Sequence, residues 1–343
     1  MATINLPGQT IGILGEGKRS ERLQVAARER GYKVIVFSDQ KPDNLFDFAS
    51  KANLLIFESD CDEADELQAL QQYIEIPQLA ETLSVTKDRL IEKVFLESLN
   101  INAVPYALIT SIADLKAEVG GIGYPCVLKP IRVEKNQLSN VMLYSEEDFS
   151  KAEALLQTGS CILDAWVPFD KELTISFVSG KNGQLVPLPI SETFYHRQVL
   201  QGAVTPARIP EEMADAIQDI GRTLSGAMNL SGIITIEFLV TAVGTIYAKK
   251  IITSVHHMLD YTLDATNISQ YELFIRAVCG LPIPEVKMTQ PVTSYLVNQD
   301  EQEQLMSQLS FQPDWYLRAT DTGWLVNAMG DDWSALTVLL SPE

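Results

Sequence analysis

Apolar positions along the chain follow two regimes. Near the start, short apolar runs alternate with helical spacing. "TIGILGEG" (10–17) is an apolar run entering glycines, "KRSERLQVAARERGY" (18–32) has helical periodicity, and "KVIVFSD" (33–39) is a second run. With "NLLIF" (53–57) as a third strand and "DEADELQALQQY" (62–73) as a helix, residues 1–85 read as a small parallel α/β domain. From residue 161 the pattern changes to long strands: "CILDAWV", "ELTISFVSG", "QLVPLPI" and "GIITIEFLVTAVGTIYAKKI", with a helix over 210–228 between them. That half is expected to form an antiparallel sheet with helices packed on it.

Between the two regimes, "TKDRLIEKVFLESLN" (86–100) reads as one helix, and "SIADL" carries an S-x-x-D capping box at Ser111 and Asp114. A second capped helix is expected from Ser145, with Asp148 three residues on. "SQYELFIRAVCGLP" (269–282) ends as a helix stopped by Gly280 and Pro282. "YPCVLKPIRVEKNQLSNVML" (124–143) reads as strand, polar turn, strand, with Lys129 at a strand end after Cys126, Val127 and Leu128.

Composition narrows the function classes. The chain has 343 residues, 46% hydrophobic and 21% charged, enough for two or three packed units. No stretch approaches the roughly 18 uninterrupted apolar residues of a membrane span, and the start lacks a signal-peptide pattern, so a cytoplasmic location is expected. A net charge of −19 argues against nucleic-acid or anionic-lipid partners; an anionic small ligand would need a locally basic pocket. Cys61, Cys126, Cys161 and Cys279 stand in no metal-ligand spacing and are expected as reduced thiols.

Candidate chemistry is sparse. Gly15 and Gly17 sit where a strand meets a helix N-terminus, a place that can hold an anion, but Ser20 stands where a dinucleotide fingerprint needs a third glycine. Glu237 alternates with Ile234, Ile236 and Phe238, and the following strand would bring Lys249 and Lys250 near it, which suits a salt bridge better than a metal. His256 and His257 are adjacent and on a strand would face opposite ways. No Ser/His/Asp or Cys/His constellation assembles.

In order and at family-like spacing, "TKDRLIEKVFLESLNINAVPY", "IGYPCVLKP", "WVPFDKELTI", "IEFLV" and "DYTLDATNISQYELFIRAVCGLP" resemble the N5-carboxyaminoimidazole ribonucleotide synthases, ATP-grasp enzymes of purine synthesis. The resemblance runs from about residue 10 to residue 285. It implies a mixed α/β and α+β fold. An N-terminal parallel α/β domain (1–85) would precede a small ATP-grasp lobe (86–160), a large lobe (161–285) and a diverged C-terminal sheet segment (286–343). It also implies ATP as ligand, a small anionic substrate, and a homodimer. Residue by residue, it puts Lys129 and Arg89 at the nucleotide phosphates, Glu172 at the ribose, Asp164 at the adenine hinge, and Glu237 on magnesium.

Other family positions differ. The family's loop G-G-Y-D-G-K-G-Q is replaced over Val133–Asn140 by a stretch with no glycine, so this lid would not approach phosphate closely. The family's N-E-I-A-P-R-P-H-N-S-G-H-Y-T aligns with "KKIITSVHHMLDYT", which puts Lys250 where a magnesium carboxylate stands and Ser254 where a substrate-holding arginine stands. The terminal G-R-K-M-G-H has at best a remnant in "VNAMGD" (326–331). Two readings follow. One is an active ligase making N5-carboxyaminoimidazole ribonucleotide. The other, favoured by these losses, is a catalytically impaired paralogue that binds nucleotide or regulates, at a site disfavouring magnesium.

Overall fold

A computed structural model describes residues 4–37, 44–58, 64–132, 140–196, 199–298 and 301–334. The chain divides into two compact units. Unit 1 comprises Met1–Thr82, Glu172–Ile236 and Ile252–Glu343; unit 2 comprises Leu83–Lys171 and Glu237–Ile251.

Unit 1 opens as β1 (Thr10–Leu14), α1 (Lys18–Glu29), β2 (Lys33–Phe37), α2 (Leu45–Ala49), β3 (Leu54–Phe57) and α3 (Ala64–Leu70). The three strands form a parallel sheet in the order β2-β1-β3, with Ile11 opposite both Val34 and Leu54. All four β3 residues are buried, as expected of a parallel strand covered on both faces. Gly12 is required in β1, because a Cβ there would lie 2.5 Å from Leu55 Cδ2.

The expected single helix over 86–100 is two helices. α4 (Ala80–Lys87) ends, and α5 (Arg89–Ser98) restarts with Asp88 as its N-cap, whose carboxylate accepts from the Leu90 and Ile91 amides at 3.1 Å each. Helical spacing continues through Asp88, so only the capping chemistry marks the break. In unit 2, α5 is followed by β4 (Tyr106–Ile109), α6 (Ile112–Ile122), β5 (Cys126–Pro130), β6 (Val141–Leu143), α7 (Phe149–Leu156) and β7 (Cys161–Ala165). The strands form a sheet in the order β4-β7-β5-β6 with antiparallel pairs throughout. Ser111 caps α6 by accepting from Asp114 N–H at 3.1 Å, while the Asp114 carboxylate reaches back to the Thr110 amide at 3.0 Å. Leu115, Leu128, Leu143, Leu155 and Leu163 share the core beneath this sheet.

The strand-rich half continues as β8 (Lys171–Ser179), β9 (Leu185–Pro187), β10 (Ser191–His196), β11 (Val199–Thr205), α8 (Glu211–Met228), β12 (Gly232–Val240), β13 (Ile246–Ile252) and α9 (Gln270–Cys279). Then come β14 (Val292–Val297), α10 (Gln302–Leu309), β15 (Trp315–Ala319) and β16 (Trp324–Met329). They join in the order β13-β12-β8-β10-β11-β14-β16-β15, with β9 beside β8. The β8–β10, β10–β11, β11–β14, β14–β16 and β15–β16 pairs are antiparallel, but the expected start of this sheet at residue 161 is corrected: β7 (Cys161–Ala165) pairs with β4 and β5 in the four-stranded sheet, and the large sheet's strands begin at β8. α9 stops as expected: Gly280 takes φ +74 and Leu281 N–H returns to Arg276 O at 2.8 Å. The two histidines are not on a strand. His256 instead caps a 3₁₀ turn over His257–Leu263, its ring nitrogen accepting from Met258 N–H at 3.3 Å.

Candidate functional site

In unit 2 the register of β5 against β7 builds the centre. Val127 lies opposite Asp164 and Lys129 opposite Ile162, so Lys129 and Asp164 are diagonal neighbours within reach of a long side chain. Lys129 Nζ lies 2.7 Å from Asp164 Oδ2. The other carboxylate oxygen is 2.8 Å from Lys93 Nζ, a buried cation on α5 that also donates to Val104 O at 3.0 Å and lies over the Tyr106 ring. Burial pushes the Asp164 carboxyl up, yet Lys129 and Lys93 together outweigh it and hold its pKa below the ordinary value. Burial likewise lowers Lys93, against the pull of Asp164.

Arg89 joins the same group. Its amide donates to Ile131 O at 3.0 Å and its guanidinium to Pro130 O, which ties the start of α5 to the residues just after Lys129. One helical turn on, Glu92 accepts from the Ile251 amide at 2.6 Å. Its pKa is raised to about 7, chiefly by burial, against the Ile251 hydrogen bond and the charges of Lys250, Lys93 and Arg89. Arg89, Lys93 and Lys129 therefore face one fully ionised carboxylate, Asp164. On a chain of net charge −19 this is the locally basic ground an anion requires.

Glu237, half-buried on β12, is met by Lys249 Nζ at 3.4 Å. The expected counter-charge at Lys250 is corrected here: Lys250 is exposed, and its field is felt at Glu92. Neighbours on a strand point to opposite faces, which separates the two lysines. Glu172 belongs to unit 1, opposite Thr193 on β10, and is described there alone. The lid stretch 133–139 lies outside the described residues, as does Cys61; Cys126, Cys161 and Cys279 are buried free thiols. Among the described residues no helix is long and apolar enough to cross a membrane.

Unit 1 holds a polar network absent from the sequence reading. Arg22 pairs with the fully buried Asp260, which also accepts from Tyr271 OH at 2.6 Å and Gln270 Nε2 at 2.8 Å. Arg318 pairs with Asp264, whose carboxylate accepts from Asn327 Nδ2 at 2.8 Å. Asn327 is the buried polar residue of the "VNAMGD" remnant, and the basic group near it is Arg318 on the adjacent strand. Arg19 and Arg22, one helical turn apart just after the glycines, were the available signal.

A family model described as ATP-grasp domain matches residues 94–271. The N5-carboxyaminoimidazole ribonucleotide synthase of Bacillus subtilis is 29% identical over 303 residues, covering 83% of this chain and 80% of that protein. The same-named protein of Staphylococcus aureus is 24% identical over 331 residues, covering 90% of this chain and 87% of its own length. A crystal structure of an ADP complex of purK, an N5-carboxyaminoimidazole ribonucleotide synthetase, superposes with TM-score 0.91 at 28% identity over 99% of this chain and 97% of that one.

Proposed function

Because this chain belongs to the ATP-grasp family, with N5-carboxyaminoimidazole ribonucleotide synthases as its relatives, we propose that unit 2 binds an adenine nucleotide without coupling it to magnesium-dependent ligation. Lys129 and Arg89 supply positive charge for the phosphates, and Asp164 holds Lys129 and Lys93 in place until a phosphate competes for them. In support, the 28% identical relative is an ADP complex, and three cations here surround one ionised carboxylate.

One observation carries the uncoupled part of the reading: the Glu237 carboxylate is met by Lys249 at 3.4 Å. Magnesium needs near-octahedral oxygen donors, and here the carboxylate already has an internal cation, Lys249. At an effective dielectric of about 20 and several ångströms, the Lys249 ammonium alone opposes a divalent cation at Glu237 by several kcal/mol. The residues therefore do not fit the metal. The absence of glycine over 133–140 points the same way, since side chains hinder close approach of backbone amides to phosphate.

The alternative is the plain family activity, favoured by the 29% identity to a named synthase over 83% of the chain. A coupled assay of ADP release with aminoimidazole ribonucleotide and bicarbonate separates the two. No substrate-stimulated release is expected. Turnover within the usual enzyme range of roughly 1 to 1000 per second would establish the synthase instead.

A further inference from the structure

A cavity of about 470 Å³ lies wholly within unit 1, inside the roughly 300 to 1,000 Å³ range of small-molecule sites. Three separated stretches wall it: the approach to α4 (71–79), the β8–β9 turn (179–185) and the junction of α8 with β12 (225–231). Hydrogen bonds tie these walls together and to β3. Leu55 N–H donates to Glu75 O at 2.9 Å, Ser231 N–H to Pro77 O at 2.8 Å, and Ser179 Oγ to Leu230 O at 2.7 Å.

The polar end of the cavity offers acceptors. Glu75 shares its carboxylate between Lys181 Nζ and Asn5 Nδ2, the latter at 2.8 Å. The Lys181 side chain is 8% exposed and that of Glu75 34%, so the carboxylate, with acceptor capacity left over, is the member of the pair open to a ligand. Beside it α8 ends at Asn229, at φ +51, and the last carbonyls of the helix give that end a partial negative charge. α1 and α9 carry Arg28 and Arg276 in their last turns, whereas the last turn of α8 has no basic residue. Ser225, in that turn and 1% exposed, lines the cavity, and its Oγ has no hydrogen-bond partner among the described residues. A buried hydroxyl left unpaired is a cost that a bound donor would remove. Apolar lining comes from Ile74, Pro77, Leu79 and Leu185. Gly226 also lines the cavity, at a helical position where glycine is unfavourable; a Cβ there would meet nothing within 4 Å, so the packing of α8 does not require it.

We propose that this cavity binds a small primary amine with an apolar body, the ammonium received by Glu75, Ser225 and the carboxyl end of α8, and the body by the apolar lining. The excess of acceptors sets the sign of the ligand. An anion would meet a carboxylate and helix carbonyls, while an ammonium supplies the charge that the last turn of α8 lacks. The inference is independent of the nucleotide reading, since Arg89, Lys129, Asp164 and Glu237 line no part of this cavity.

The full chain, ¹⁵N-labelled, is titrated at about pH 7, where the amine is protonated, with phenethylamine, phenethyl alcohol and phenylacetate, which share an apolar body and differ in the charge of the head. The Gly180, Gly183 and Ser231 amides are followed. Saturable shifts are expected with the amine, and affinity at least about tenfold weaker for the alcohol and the carboxylate. Gly226→Leu, which fills the cavity from a position with room for a side chain, should weaken the amine at least about tenfold with the melting temperature held or raised. Glu75→Gln, which keeps an acceptor for Asn5 without the charge, should bring the amine down to the level of the alcohol and serves if the leucine variant does not fold. Amine binding no tighter than that of the alcohol or the carboxylate would overturn the proposal. So would the absence of saturable shifts, or amine affinity unchanged in Glu75→Gln or in a folded Gly226→Leu.

Discussion

Glu92→Gln separates a buried proton from the rest of the fold. In the folded chain the Glu92 carboxyl titrates at about 7, against 4.5 for the ordinary side chain, because burial disfavours its charged form more than Ile251 N–H and the nearby cations favour it. Between those values the folded chain holds a proton that the unfolded chain has released. The stability this contributes is complete below 4.5 and is lost as pH rises through about 7. At about 1.4 kcal/mol per pH unit, the interval amounts to roughly 3 kcal/mol. Glutamine keeps an oxygen for the Ile251 amide and has no proton to lose. Urea unfolding of both proteins from about pH 5 to about pH 8 should therefore show the wild type losing most of that 3 kcal/mol relative to the variant, with unchanged m-values. Parallel stability curves would refute the buried-carboxyl account.

Two further outcomes follow from the same cluster. Asp164→Ala strands Lys93, whose side chain is only 9% exposed, and should cost about 3–5 kcal/mol of stability in urea unfolding. Lys129→Ala removes a cation with a 27% exposed side chain; ATP affinity should fall at least about tenfold by calorimetry while the melting temperature moves far less than in Asp164→Ala.

What was legible in the chain was local. The opening β-α-β unit could be read because parallel strands buried on both faces are unbroken apolar runs, and the Ser111 cap because its partner is three residues away. The break at Asp88 was hidden because apolar spacing runs straight across it. Lys129, Asp164 and Arg89 were found through family resemblance, and the structure brings them together; that Asp164 bridges Lys129 to Lys93 depends on the β5–β7 register, which no local pattern reveals. The same holds for Lys249 rather than Lys250 at Glu237. The cavity at Glu75 was beyond reach altogether, since its walls come from three separated stretches of the chain.

The central claim, a nucleotide site without its metal, is tested most directly by calorimetric titration of the intact chain with ATP, once with excess magnesium and once with a chelator. The account predicts saturable binding in both, with affinities differing by less than about tenfold. Binding strengthened by magnesium well beyond tenfold, more than ~1.4 kcal/mol, would mean that Glu237 holds the metal despite Lys249 and would contradict it.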